Sequence, residues 1–179
     1  PPERLVDQFA LSDRDAMLRV VTTTQEITTR PMREVDASAD IAIAPMSEAR
    51  LTVLDTEGTL DEVASLGDMG IGEQVQSVRF LDDIAYLVTF RQVDPLYAVD
   101  LSDPRAPRLL GELKIPGFSE YLHPVGDGLL LGVGRQVDPS SGMDQGLKIS
   151  LFDMADPTRP AELDQIVLPG ASSEVSNDH

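Results

Sequence analysis

One stretch of this chain occurs twice, and the repetition limits the fold more than any other feature. Residues 100–117 read DLSDPRAPRLLGELKIPG, and residues 153–170 read DMADPTRPAELDQIVLPG. Without a gap, Asp100, Asp103, Pro104, Pro107, Leu110, Pro116 and Gly117 fall on Asp153, Asp156, Pro157, Pro160, Leu163, Pro169 and Gly170. A self-match with a period of about 50 residues marks an array built from one small unit. A second echo supports the alignment: Arg91-Gln92-Val93-Asp94-Pro95 returns as Arg135-Gln136-Val137-Asp138-Pro139. Asp94 precedes Asp100 by 6 residues and Asp138 precedes Asp153 by 15, so 15 − 6 = 9 residues are inserted in one loop. The loop PSSGMDQG (139–146), where the insertion falls, is rich in Gly and Ser, as an exposed loop should be.

Within the repeat, turn residues bound short apolar runs, the pattern of strands. The middle unit divides into 76–80, 85–90, 96–100 and 109–115, with a Leu81-Asp82-Asp83 turn after the first. The next unit keeps the plan at 121–125, 129–134, 147–153 and 162–168. Its Gly126-Asp127-Gly128 turn suits a tight hairpin, because Asp-Gly tolerates positive φ angles. Upstream, 4–9 and 16–24 predict a strand pair around turn residues 12–15, and 51–55 and 63–66 predict another. Helix competes over 59–66, where apolar spacing cannot separate the two. Asp55 decides for strand, since it stands where Asp100 and Asp153 stand. Residues 25–50 are mostly polar and contain Pro31 and Pro45, which predicts a long surface loop.

Segments 85–90 (AYLVTF) and 129–133 (LLLGV) are apolar on both faces. A sheet with one wet face alternates, so these sheets must be covered on both sides. Four-stranded antiparallel units stacked between like neighbours are the blades of a β-propeller. The expected fold is therefore all-β: a blade at 1–70 carrying the loop 25–50, blades at 71–117 and 118–170, and the start of a fourth at 171–179. Propellers close with about four to eight blades, so about three leave two faces bare. The expected partners are the remaining blades of a longer chain, or a second copy that completes a ring.

Charge narrows the function classes. Fourteen Lys and Arg against 31 Asp and Glu leave a net charge of −17. Phosphate backbones and anionic lipid are poor partners for such a surface, because binding either takes clustered Lys and Arg. Cysteine is absent, which removes disulfides and thiolate metal sites. No apolar run approaches the roughly 20 residues that cross a bilayer. The start, PPERLVDQFA, has neither a basic segment nor an apolar signal core, and with Pro1 in place of Met it reads as a processed product or a fragment.

The segments LVDQFALSDRDAMLRVVTT (5–23), GEQVQSVRF (72–80), AYLVTFRQVDPLYAVDLSDP (85–104), LGELKIPGFSEYLHP (110–124) and GLKISLFDMADPTRP (146–160) resemble a known family. It comprises secreted bacterial and archaeal proteins with a C-terminal β-propeller domain, largely uncharacterised. The resemblance implies a propeller, export to the cell surface or beyond, and a longer parent chain. It implies no defined reaction. Asn177-Asp178-His179 resembles the point where a further blade begins.

Sites follow from the meander. Loops between blades and loops joining second to third strands share one face, which gathers Glu73, Glu120 and Glu174 with Arg91, Asp94, Arg135 and Asp138. Counted from the glycines that close each unit, the three glutamates form a ring near a channel mouth, a setting for Ca²⁺ with its several oxygen ligands. Aligning from the hairpins instead pairs His123 with Arg79 and Glu120 with Gln76. The bland alternative is that these acids reflect acidic composition. His123, the one interior histidine, is a candidate catalytic base if Glu120 or another blade supplies a carboxylate; a structural role competes. Arg91–Asp94 and Arg135–Asp138 are read as exposed loop ion pairs. The DxxDPxxP repeat is read as turn chemistry, with Asp capping backbone and Pro presetting φ. No GxSxG, HExxH or phosphate-binding Gly loop occurs.

The reading is a non-catalytic binding or scaffolding module of an exported protein. The alternative is an enzyme of lactonase (hydrolase) or quinoprotein type with a site in the channel. Polysaccharide binding fits poorly, with no Trp, three Tyr and five Phe to stack on sugars.

Overall fold

The structure is a computed structural model that describes residues 3–26, 46–90, 94–138 and 140–172. Among these residues thirteen strands form three antiparallel sheets, with no α-helix. The first sheet contains β1 (Glu3–Arg4), β2 (Leu11–Arg14), β3 (Met17–Glu26), β4 (Met46–Asp55) and β5 (Asp61–Met69). The second runs β6 (Gln74–Leu81), β7 (Ile84–Phe90), β8 (Asp94–Asp100) and β9 (Arg108–Ile115). The third runs β10 (Phe118–Gly126), β11 (Leu129–Val137), β12 (Asp144–Asp153) and β13 (Ala161–Leu168). In the second and third sheets each strand pairs with the next in sequence, the simplest meander. The segment 59–66, open to a helix on spacing alone, lies mostly in β5.

The first sheet departs from expectation at its start. Segment 4–9 is not one strand: β1 pairs with Thr23 and Thr24, while β2 pairs with Met17 to Val20 of the same strand β3. Between them Gln8–Ala10 form a 3-10 turn. Asp7 causes the break, its carboxylate accepting from Phe9 N at 2.7 Å and Ala10 N at 3.1 Å. The predicted loop 25–50 is also too long. Gln25 pairs with Ser47 and Thr22 with Arg50, so both ends belong to strands. Ser47 and Ala49 face inward and are buried, an alternation that the polar composition conceals. The rest of that loop, and the proposed start of a fourth blade beyond residue 172, lie outside the described residues.

The middle sheet is covered on both faces. Ala85, Leu87, Tyr97 and Val99 pack with Val21, Leu51 and Val53 of the first sheet. Their alternates Tyr86, Val88, Leu96 and Ala98 pack with Leu122, Leu130 and Phe152 of the third. Period-two alternation within two doubly apolar strands thus supplies two separate cores. Among the described residues the far face of the third sheet has no such neighbour. Leu131, Ile149 and Leu151 are half-buried there, and Ile166 is 52% exposed.

Polar ties fix the stacking. Arg19, buried in β3, donates from Nη1 to the carbonyl of Asp82 at 2.9 Å and from Nη2 to Ser12 Oγ at 2.7 Å. Thr23 Oγ1 accepts from Val75 N at 3.0 Å, and Ser77 Oγ donates to the carbonyl of Ser119 at 2.8 Å. Each first hairpin turns on an aspartate in the left-handed region: Asp15 (φ 53°), Asp82 (51°) and Asp127 (51°). Aspartate tolerates that region better than most residues do. No helix among the described residues is long and apolar enough to cross a membrane.

Candidate functional site

The first strands of the second and third sheets, β6 and β10, lie side by side, and both carry a bulge. In β6 the register shifts between Val75 and Ser77, and in β10 between Ser119 and Tyr121. Each bulge leaves one residue unpaired, Gln76 and Glu120 respectively, and re-aims the strand beyond it. Two residues past Ser77 stands Arg79, and two past Tyr121 stands His123. The first sheet adds Phe9 from its 3-10 turn.

These residues form one cluster. The Arg79 guanidinium carbon lies 4.4 Å from the centre of the Phe9 ring and 5.6 Å from that of Tyr121. Phe9 and Tyr121 meet edge to face at 5.9 Å. Arg79 Nη2 approaches the Tyr121 hydroxyl at 3.4 Å, and Arg79 Nε is buried with no hydrogen-bond partner. The Tyr121 hydroxyl lies 3.1 Å from His123 Nδ1, and the two rings stack at 6.0 Å. With a bare Nδ1 the phenol donates; with a protonated Nδ1 it accepts. His123 is exposed, so this end of the cluster reaches solvent.

The electrostatics set Arg79 apart. The chain carries a net charge of −17, yet no carboxylate of the described residues pairs with this guanidinium. It is held by π faces instead, an arrangement worth about 0.5–2 kcal/mol that leaves its N–H groups largely unspent. Planar donors beside two aromatic rings suit a planar anion, with the carboxylate on the guanidinium and an apolar part against a ring.

The residues singled out in the sequence scatter around this cluster. Glu73 sits just ahead of β6, where its carboxylate accepts from the Thr89 hydroxyl and its N–H donates to the carbonyl of Gly70 at 2.9 Å. Tyr97 completes that corner, its hydroxyl accepting from Gly70 N at 3.1 Å; burial pushes its phenol upward. Glu120 lies inside β10 at the bulge, half-buried and engaged. The bulges make Glu120 the counterpart of Gln76 and His123 that of Arg79, which is the hairpin alignment. Glu73 and Glu120 therefore do not occupy equivalent places, which removes the symmetry on which the carboxylate ring rested. Among the described residues no three acidic or imidazole groups gather as a metal-binding set. Glu174 and Arg91 lie outside the described residues; Asp94 opens β8, with its side chain outside them as well.

The Arg135–Asp138 pair is a correction. Arg135 pairs with Asp144 of the neighbouring strand. Asp138 instead folds its own loop, its carboxylate accepting from Ser140 N at 2.8 Å, Ser140 Oγ at 2.5 Å and Ser141 N at 3.0 Å. Those bonds, the Ser140 hydroxyl first, hold its carboxyl below the usual range. The inserted residues account for the change, since they supply both Asp144 and the serines.

Phe9, Arg79 and Tyr121 were not singled out in the sequence. One signal was present: the hairpin alignment places Arg79 against His123, marking a repeated polar position on first strands.

Comparison with known proteins gives a consistent picture. The model of the family described as Beta propeller domain matches residues 2–179. An uncharacterised protein of Archaeoglobus fulgidus is 38% identical over 178 residues, covering 99% of this chain and 24% of that protein. An uncharacterised protein of Methanocaldococcus jannaschii is 37% identical over 164 residues, covering 92% of this chain and 23% of that protein. The chain thus spans about a quarter of the length of these curated relatives.

Proposed function

This chain belongs to the Beta propeller domain family, and from that premise we propose that it is a non-catalytic binding module within a longer, exported protein. The ligand face is the cluster of Phe9, Arg79, Tyr121 and His123. One observation carries the reading: a guanidinium with no carboxylate partner among the described residues, set against two aromatic rings in a strongly acidic chain. The ligand class is a small planar carboxylate. Export follows from the resemblance to secreted proteins, and the remaining blades of the longer protein are the partners of the bare third-sheet face.

The experiment is a titration of the full chain with benzoate, followed by NMR. Saturable shifts at Tyr121 and His123, lost in Arg79→Gln with the rest of the spectrum unchanged, are expected. Absence of shifts at millimolar benzoate, or an unaltered Arg79→Gln titration, sinks the proposal.

The Tyr121–His123 contact favours a second reading, an enzyme of hydrolase type with the imidazole as base. Turnover of simple lactones or esters that His123→Ala abolishes, while benzoate binding persists, would select it.

A further inference from the structure

On the hairpin side of the stack, adjoining that cluster through Tyr86, the cross-strand partner of Arg79, a pocket of about 420 Å³ opens between the second and third sheets. Its volume falls in the range of about 300–1,000 Å³ common for small-molecule sites. The turn Asp82-Asp83 forms one lip and the turn Gly126-Asp127-Gly128 the other. Between them Ile84, Leu130 and Met154 give an apolar interior, and Tyr86 forms part of the wall.

Tyr86 is the telling residue. It is only 4% exposed, yet its hydroxyl makes no hydrogen bond to any described residue. Burial alone pushes this phenol upward, so it stays a neutral donor and acceptor. The residue is buried but its hydroxyl oxygen is not shut off from solvent, so a phenol without a protein partner can bond a ligand atom in the pocket that it lines. The charge at the mouth is one-sided. Arg14 lies 3.5 Å from Asp82 and 3.4 Å from Asp83, sharing one cation between them. Asp127, on the opposite lip, has no ion pair among the described residues.

We propose that this pocket binds a small organic amine, with its apolar body among Ile84, Leu130 and Met154, its ammonium at Asp127, and a second polar group hydrogen-bonded to the Tyr86 hydroxyl. The carboxylate lip and apolar interior select a cation carrying an apolar body over an anion of the same shape. Arg79 stands opposite Tyr86 across the β6–β7 pair and is not among the residues that line the pocket.

Tyramine is the probe, with phenethylamine and 3-(4-hydroxyphenyl)propionate as controls, titrated into the full chain with methyl-labelled methionine. The expected result is a saturable shift of the Met154 methyl with tyramine at millimolar concentration and none with the propionate. Phenethylamine, lacking the phenol, should bind roughly three- to tenfold more weakly. Tyr86→Phe should erase that difference, and Asp127→Asn should weaken both amines roughly two- to fivefold. Asn tolerates the left-handed φ of this exposed turn, so Asp127→Asn tests the charge even if Tyr86→Phe misfolds. Equal binding of amine and propionate, no shift at Met154, or full affinity in Asp127→Asn overturns the proposal.

Discussion

Aspartate at the end of each third strand accepts a backbone hydrogen from two residues ahead. Asp55 takes Glu57 N at 2.8 Å, Asp100 takes Ser102 N at 2.8 Å and Asp153 takes Ala155 N at 2.9 Å. Asp103 and Asp156 do the same for Arg105 and Thr158 at 3.0 and 3.1 Å. The DxxDPxxP repeat is thus a pair of Asx turns set by proline, as its spacing predicts. Asp100 also takes Arg108 in a two-pronged bond at 3.0 and 2.8 Å. The Ser102 N–H first, then the Ser102 hydroxyl and Arg108, hold its carboxyl below the ordinary 3.8. A lowered folded pKa contributes stability that is complete above the unfolded value and vanishes as pH falls through the folded one. Denaturant melts should therefore weaken below about pH 4. In Asp100→Asn that acid-dependent loss should shrink, with a neutral-pH penalty within about 1 kcal/mol. An unchanged pH profile in the variant contradicts this assignment. Such bonds are legible in sequence because both partners lie within two residues. Arg135 was misread because its partner stands across an inserted loop.

At the scale of elements, two contacts decide how the third sheet sits. A Cβ on Gly134 would run into the carbonyl of Phe118 and come within 2.7 Å of Ser119 Cα, where the bulged β10 presses on β11. Gly134→Ala should lower stability by about 1–3 kcal/mol, the scale of overpacking, read as a fall in denaturation midpoint. No fall means that the bulge gives way freely. Lys148 of β12 is 3% exposed, donating to the carbonyl of Pro116 at 2.9 Å and lying 3.0 Å from Glu162 Oε1. Lys148→Met leaves Glu162 poorly solvated and should cost about 3 kcal/mol. Adding Glu162→Gln should restore part of that loss; a double variant weaker than Lys148→Met alone argues against a coupled pair. Strand type and order were readable from period-two runs between turns. The bulges were not, because one unpaired residue leaves no mark in composition, and they decide which polar residues share a face.

At the scale of the molecule, the middle sheet is packed on both faces, while among the described residues no sheet lies against the far face of the third. Leu131, Ile149, Leu151 and Ile166 line a shallow trough on the far side of the third sheet. An apolar face of this kind is a surface on which a further sheet could pack. The relatives are about four times longer than the chain, room enough for the sheets that would cover it. In isolation the chain should self-associate in sedimentation despite its −17 charge, and Ile149→Asp with Ile166→Asp should return it to monomer. A wild-type chain that sediments as a monomer at high concentration removes the argument.

The residues alone determined the all-β class, the meander order and the turn chemistry. Each depends on neighbours in the chain: alternation over a few residues, Asp capping at two residues' distance, proline presetting φ. Tertiary structure alone decided that Phe9, Arg79, Tyr121 and His123 meet. They come from three sheets, and only the stacking of separate sheets and the phase set by each bulge bring such distant positions together.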